Sequence, residues 1–242
     1  LDLETGTSPN IDVNELEDLT NIRQVSNGSK IIRRDCPVFS KFNFHMNYGD
    51  NGEILSYTFN GYKNSNDIVS IVISDITRPT PNHILVPLLI EELNHVPREN
   101  FVIINGTGTH RDQTRDELIQ MLGEDIVNSV KIVHNHCSEK ESLAKVGHSQ
   151  YGCDVYLNKA YVESDFKTVT GFIEPHFFAG FSGGPKGIMP GIAGLETIQT
   201  FHNAKMIGDS RSTWGNLEDN PVQDMAREVN RMCKPDFLLN VA

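Results

Sequence analysis

Long apolar runs are missing from this 242-residue chain, and so is any excess of basic charge. No stretch approaches the ~18–20 apolar residues that a membrane-spanning helix requires. The opening segment LDLETGTSPN lacks the basic-then-apolar order of a signal peptide. Twenty-one Lys and Arg against 32 Asp and Glu leave a formal charge of −11. Nucleic acids and anionic membranes are bound through Lys and Arg that displace counterions, so neither is an expected partner. A small anion remains compatible, because a few cations focused in one cleft suffice. Cysteine is sparse: Cys36, Cys137, Cys153 and Cys233, none in a C-x-x-C pair. That argues against a zinc site or a disulfide framework and suits a reducing cytoplasm. The P-loop and the G-x-G-x-x-G dinucleotide fingerprint are both absent, as are internal repeats and low-complexity blocks.

What is present is an alternation of short β-branched runs and helical patterns. Residues 1 to about 30 are polar, and residues 31–66 mix short apolar pieces with turn signals, which predicts small β-structure. From residue 68 the pattern changes. Ile68–Ile73 (IVSIVI) reads as a strand buried on both faces. Phe101–Ile104, Val130–Val133, Val155–Leu157, Thr168–Ile173 and Phe237–Val241 read as further strands. His83–Leu93, Thr114–Leu122, Ile192–Phe201 and Val222–Met232 read as helices, with Pro87 expected to kink the first. The fold class is therefore α/β, a mostly parallel, Rossmann-like sheet with helices on both faces. The expected organisation is a polar segment over 1–45 and an α/β domain over 46–242. Because the chain stops at an apolar strand, it is expected to be a piece of a longer protein.

Parallel sheets bind ligands at the carboxyl ends of their strands. Here those ends carry Asp75 and Arg78, then His110 and Arg111, then His134 and His136, then His176 through Lys186. Gly180, Gly183, Gly184, Gly187 and Gly191 surround Ser182 and Lys186. Such a loop either turns its N–H groups towards a phosphate or carboxylate or forms a tight turn that packs closely, and both readings stay open. His110 and His176 suit acid–base work near neutral pH. A racemase needs a base on each face of one carbon, which two histidines from different strand ends would supply. His202 either stabilises a helix C-terminus or ligates a metal whose other ligands come from a cofactor. Asp75 and Arg78 either bind ligand groups or pair with each other. His134, His136 and His148 are read as structural, with His136 placed where it lines the same cleft.

Taken together, these motifs resemble the nickel-pincer-dependent lactate racemase family. The resemblance rests on Ser-Asp-Ile-Thr-Arg-Pro-Thr-Pro at 74–81 and Gly-Thr-Gly-Thr-His-Arg at 106–111. It continues with Glu-Pro-His-Phe-Phe-Ala-Gly-Phe-Ser-Gly-Gly-Pro-Lys at 174–186 and runs on to His202. The resemblance implies an isomerase, a racemase or epimerase of a 2-hydroxy acid, using nickel held in a pincer nucleotide. It implies a covalent attachment at Lys186, a nickel ligand in His202 and two acid/bases in His110 and His176. It further implies a substrate-orienting Arg78, cofactor contacts from Asp75, Ser182, Gly183 and Gly184, and partners that synthesise the cofactor. A second domain, absent from this chain, is expected to close the cleft. The competing expectation is a non-catalytic domain that binds a nucleotide or organic anion. Such a domain would keep the glycine loop and would not need the two histidines.

Overall fold

A computed structural model describes residues 66–242 throughout and, ahead of them, the backbone of four strands. The chain forms two compact units, Leu1–Lys63 and Asn64–Ala242. In the first, β1 (Asn21–Gln24), β2 (Lys30–Arg33), β3 (Asn43–Tyr48) and β4 (Ile54–Asn60) form an antiparallel sheet in that order. This is the small β-structure expected over 31–66. The boundary expected after residue 45 instead falls inside β3. That strand pairs with β4 from Asn43↔Asn60 to Tyr48↔Ile54, and a register of that length keeps both strands in one unit. The expectation of a loosely held segment over 1 to about 30 lies largely outside the described residues.

The second unit is built on β5 (Val69–Ser74), β6 (Phe101–Gly106), β7 (Lys131–His134), β10 (Phe166–Phe172) and β13 (Phe237–Val241). Between β7 and β10 lie β8 (Leu143–His148) and β9 (Asp154–Asn158). Short β11 (Pro175–His176) and β12 (Gly180–Phe181) follow β10. The large sheet has the order β13-β10-β5-β6-β7 and every neighbouring pair is parallel. In chain order this is 3-2-1-4-5 read from the β7 edge. The winding reverses between β5 and β10, so their carboxyl ends diverge and leave a crevice there.

Burial explains why the β-branched runs take this place. Val69, Ile71, Val72 and Ile73 are all 0% exposed, although alternate residues of a strand point to opposite faces. Both faces of the sheet are therefore covered, as expected for an α/β fold. On one face Val72, Ile104 and Val169 join a core with Ile198, Phe201, Met225 and Val229.

The helices follow their sequence signals closely. α1 (Asn82–Glu92) runs through Pro87 without ending there. α2 (Arg115–Leu122) starts at a capping box, in which Thr114 Oγ1 accepts from Glu117 N–H and the Glu117 carboxylate accepts from Thr114 N–H. Next come α3 (Glu124–Ser129), α4 (Lys159–Val162), α5 (Leu195–Phe201) and α6 (Ala204–Ile207). α7 (Pro221–Met232) begins with proline at its first position and Asn220 as its cap. Its Val222, Met225, Ala226 and Val229 form one fully buried stripe. The larger of these contribute roughly 1.5–3 kcal/mol each by burial, so Val229→Asp is the kind of change that would undo the helix's docking.

Within the second unit two expectations fail. β9, read as a strand of the main sheet, pairs antiparallel with β8 in a separate ribbon. Its edge then binds the 192–194 segment, with Asn158 N–H donating to Ile192 O at 2.8 Å and Gly194 N–H to Tyr156 O at 2.9 Å. Those contacts engage the 192–194 segment and leave Gly194 extended as the helix cap, which is why α5 starts at Leu195 rather than Ile192. Among the described residues no helix is long and apolar enough to cross a membrane.

Candidate active site

A cleft of about 220 Å³ opens at the crevice between β5 and β10. Its walls come from the segments after β5, β6 and β10. Asp75, Arg78, His110, His176, Ser182, Gly183, Lys186 and His202 all line it. Of the candidate site residues only Gly184 is missing from the lining, and it lies one residue along the same loop. His136, expected on this cleft, is elsewhere. Its Nε2 lies 3.0 Å from Asp112 Oδ2 and its Nδ1 3.2 Å from Glu139 Oε2, so two carboxylates tie it down outside the lining. The Asp112 carboxylate raises its pKa first of all. His134 meets Asn105 Nδ2 at 3.2 Å and His148 meets Asp154 at 2.9 Å, the structural roles expected of them.

One wall presents His110 beside a carboxylate. Asp75 is 4% exposed, and its Oδ2 accepts from His110 Nδ1 at 2.6 Å. Asp75 Oδ1 accepts from the Thr77 hydroxyl at 2.6 Å. Of the two readings left open for Asp75 and Arg78, the mutual pair does not form. Arg78 instead donates to Glu174 at 3.4 Å. Arg111 is drawn away to α2, where both guanidinium arms grip Glu117 at 2.6 and 2.8 Å and hold its carboxyl down at about 2.

A second wall gathers an amine and aromatic rings around His176. His176 Nε2 lies 3.2 Å from Lys186 Nζ. The backbone N–H groups of Phe178 and Ala179 donate weakly to His176 Nδ1 at 3.5 and 3.4 Å. A neutral ring that accepts at Nδ1 carries its proton on Nε2, and that proton then points at a neutral lysine amine. The electrostatics agree. Burial, then the nearby Arg78, lowers the Lys186 pKa to about 7. Burial, then Lys186, Arg78 and His202, lowers that of His176 to about 4. The Lys186 amine also sits 5.8 and 5.7 Å from the ring centres of Phe178 and Phe201. His202 caps the C-terminus of α5, donating its backbone N–H to Ile198 O at 2.9 Å. Its ring lies edge-on to Phe178 and Phe201, and no described residue hydrogen-bonds to the ring nitrogens. Partial burial and Lys186 lower its pKa as well.

The glycine loop is shaped by close packing. A Cβ on Gly171 would meet Asn240 Oδ1 at 2.3 Å, and Gly183 has φ +73° with Asn240 Oδ1 and Phe172 O against it. Asn240 Oδ1 accepts from Gly184 N–H at 3.0 Å, and the Ser182 hydroxyl donates back to Phe172 O at 2.9 Å. The N–H groups of Ser182, Gly184 and Lys186 are therefore engaged within the chain, and the N–H of Gly183, a residue that lines the cleft, has no partner among the described residues. Asn240 and Asn220 are parts of the site that the sequence reading missed. Asn220 is fully buried, and its Nδ2 donates to Phe178 O at 2.9 Å, which fixes the turn after His176. Asn220 has one local signal, a cap position before Pro221; Asn240 has none.

The lactate racemase N-terminal domain family matches residues 53–215. The chain belongs to this family. It is 40% identical over 174 residues to a lactate racemase of Lactiplantibacillus plantarum and 37% identical over 174 residues to one of Thermoanaerobacterium thermosaccharolyticum. Each alignment covers 72% of this chain and 41% of the relative, so the chain spans about two fifths of the curated relatives it matches. Among solved structures, the lactate racemase apoprotein of T. thermosaccharolyticum superposes with a TM-score of 0.66 at 35% identity, covering 70% of this chain and 41% of that one. A Thermotoga maritima protein superposes with a TM-score of 0.61 at 26% identity, covering 72% of this chain and 46% of that one. The family thus accounts for the parallel sheet and for the segments that build the cleft.

Proposed function

We propose that this chain is the cofactor-bearing part of a racemase or epimerase acting on lactate or a related 2-hydroxy acid. The observation that carries the reading is one cleft lined by two histidines, a lysine whose pKa is lowered to about 7 and a third imidazole whose ring nitrogens have no hydrogen-bond partner among the described residues. These residues fit the nickel pincer nucleotide of the family. A buried amine that is half neutral near pH 7 is a competent nucleophile, which suits Lys186 to covalent attachment. Among the described residues no group of three or more His, Cys, Asp or Glu is placed to hold a metal. His202 would thus be a single protein ligand to a metal otherwise held by its cofactor. When bound, the nickel pincer nucleotide supplies a reversible acceptor for hydride.

The chain's own residues handle the carboxylate and the hydroxyl proton. Arg78 is the cation free to draw in the substrate carboxylate, with Glu174 its only described competitor. One histidine accepts the hydroxyl proton as the carbon loses its hydrogen and becomes a planar keto acid. The other supplies a proton when the opposite face is reduced. Such general acid–base help contributes typically 10²–10⁴-fold. The proteins that make the cofactor are the partners this reading requires.

The test is the intact mass and nickel content of the chain produced in cells that make the cofactor. An adduct on the Lys186 peptide with about one nickel per chain supports the reading. Absence of both, in cells where a family member loads normally, overturns it.

A further inference from the structure

We propose that Asp75 is a positioning residue for His110: it fixes the ring as the Nδ1–H tautomer and so leaves Nε2 as the working nitrogen in the cleft. The inference rests on the acid–base role proposed above for His110 and reassigns Asp75, whose resemblance-implied role was a cofactor contact.

Three observations carry it. The first is geometry, with Asp75 Oδ2 2.6 Å from His110 Nδ1, a short contact just under the ~2.7–2.9 Å usual for a charge-assisted N–H···O bond. The second is contrast in burial. The Asp75 side chain is 5% exposed and that of His110 is 54% exposed, so the carboxylate is the fixed member and the ring the presented one. The third is that the carboxylate is itself held. Thr77 donates to Oδ1 through its hydroxyl at 2.6 Å and its N–H at 3.3 Å, which leaves Oδ2 for the imidazole. A carboxylate accepts only, so the ring nitrogen facing it must carry the proton whether the ring is neutral or charged. His110 Nε2 is then a lone pair whenever the ring is neutral. A free neutral imidazole has no such constraint.

Turnover alone would not locate this role. Two enantiomers interconvert with an equilibrium constant of one, so kcat/KM falls equally in both directions whichever base is impaired. The decisive readout is therefore the tautomer. Ring nitrogen shifts of ¹⁵N-histidine-labelled chain, at alkaline pH and without cofactor or substrate, should show His110 as Nδ1–H in the wild type. Asp75→Ala and the near-isosteric Thr77→Val should move it towards Nε2–H, the first fully and the second in part. In the cofactor-loaded protein Asp75→Ala should lower kcat roughly 10–100-fold with little change in KM. A wild-type His110 found as Nε2–H, or a tautomer unchanged in Asp75→Ala, overturns the proposal. If Asp75→Ala does not fold, the wild-type and Thr77→Val spectra decide it. The nitrogen shifts depend on neither nickel nor racemisation, so this inference and the functional reading can fail separately.

Discussion

The two histidine walls of the cleft are built from opposite materials. His110 leans on a buried carboxylate and stands more than half exposed, whereas His176 lies between backbone N–H groups and the Lys186 amine. In their neutral forms, the first presents a lone pair at Nε2 and the second presents a proton there. A ring that presents its lone pair is ready to accept a proton, whereas a neutral ring that presents its N–H can supply one only after it has been charged, which burial and the cations around His176 oppose. The comparison teaches that two residues of the same type, in loops of similar glycine content, take their chemistry from what stands behind the ring.

The largest expected effect tests whether both walls are needed. His110→Ala and His176→Ala should each lower racemisation by about 10²–10⁴-fold in loaded protein, with nickel content unchanged. A loss under tenfold in either would leave that wall without a chemical role. The next test is electrostatic. By NMR, His176 should titrate near pH 4, charging only as the pH falls through that value, because burial and neighbouring cations oppose the charge. Lys186→Met removes one of those cations, so the midpoint should rise yet stay below 6.5, since burial is the larger cause. An unmoved midpoint would show that the Lys186 charge plays no part in it. The same amine offers a third measurement. Labelling of Lys186 by an amine-reactive reagent, followed by mass spectrometry, should be half-maximal near pH 7 and weaken below it as the amine protonates. A dependence centred near 10.5 would contradict the neutral amine facing His176.

Smaller effects probe the supports. Asn220→Ala removes the cap of α7 and the bond to Phe178 O, and should cost roughly 1–3 kcal/mol in chemical denaturation. Because Phe178 follows the His176 turn, the variant should also broaden the His176 ring signals while those of His110 stay sharp. Equal broadening would mean that the walls are not independently supported. Smallest of all, Phe177→Ala should change stability by less than about 0.5 kcal/mol, because that ring is 79% exposed and packs mainly on Trp214.

Much of this was legible along the chain. The β-branched runs at 68–73 and 101–104 announce strands buried on both faces, and the carboxyl ends of parallel strands lie along one edge of the sheet, which brings Asp75, His110, His176 and Lys186 there. The pairings within that edge were not legible. Asp75 lies three residues from Arg78 yet bonds His110, 35 residues away, while Arg78 turns to Glu174. Nearness in sequence suggested the first pair; the register of β5 beside β6 made the second. The ribbon of β8 and β9 was missed for a related reason. Val155 and Leu157 are 0% exposed, so their apolar character looked like that of a sheet strand, and only the pairing with β8 and the bridge to Ala193 distinguish them. The glycine loop shows the same limit, since its spacing was consistent with anion binding and with close packing, and Asn240 on another strand decides much of its geometry.

That clasp has a consequence for how the protein is made. Asn240 holds Gly184 from 56 residues further along the chain. At translation rates of about 5–20 residues per second, roughly 3–11 seconds separate the synthesis of the loop from that of its clasp. Until then β10 lacks its β13 neighbour, and the lysine loop beside it lacks the bond from Gly184 N–H to Asn240. On the ribosome the cleft is completed late, after most of the sheet that supports it.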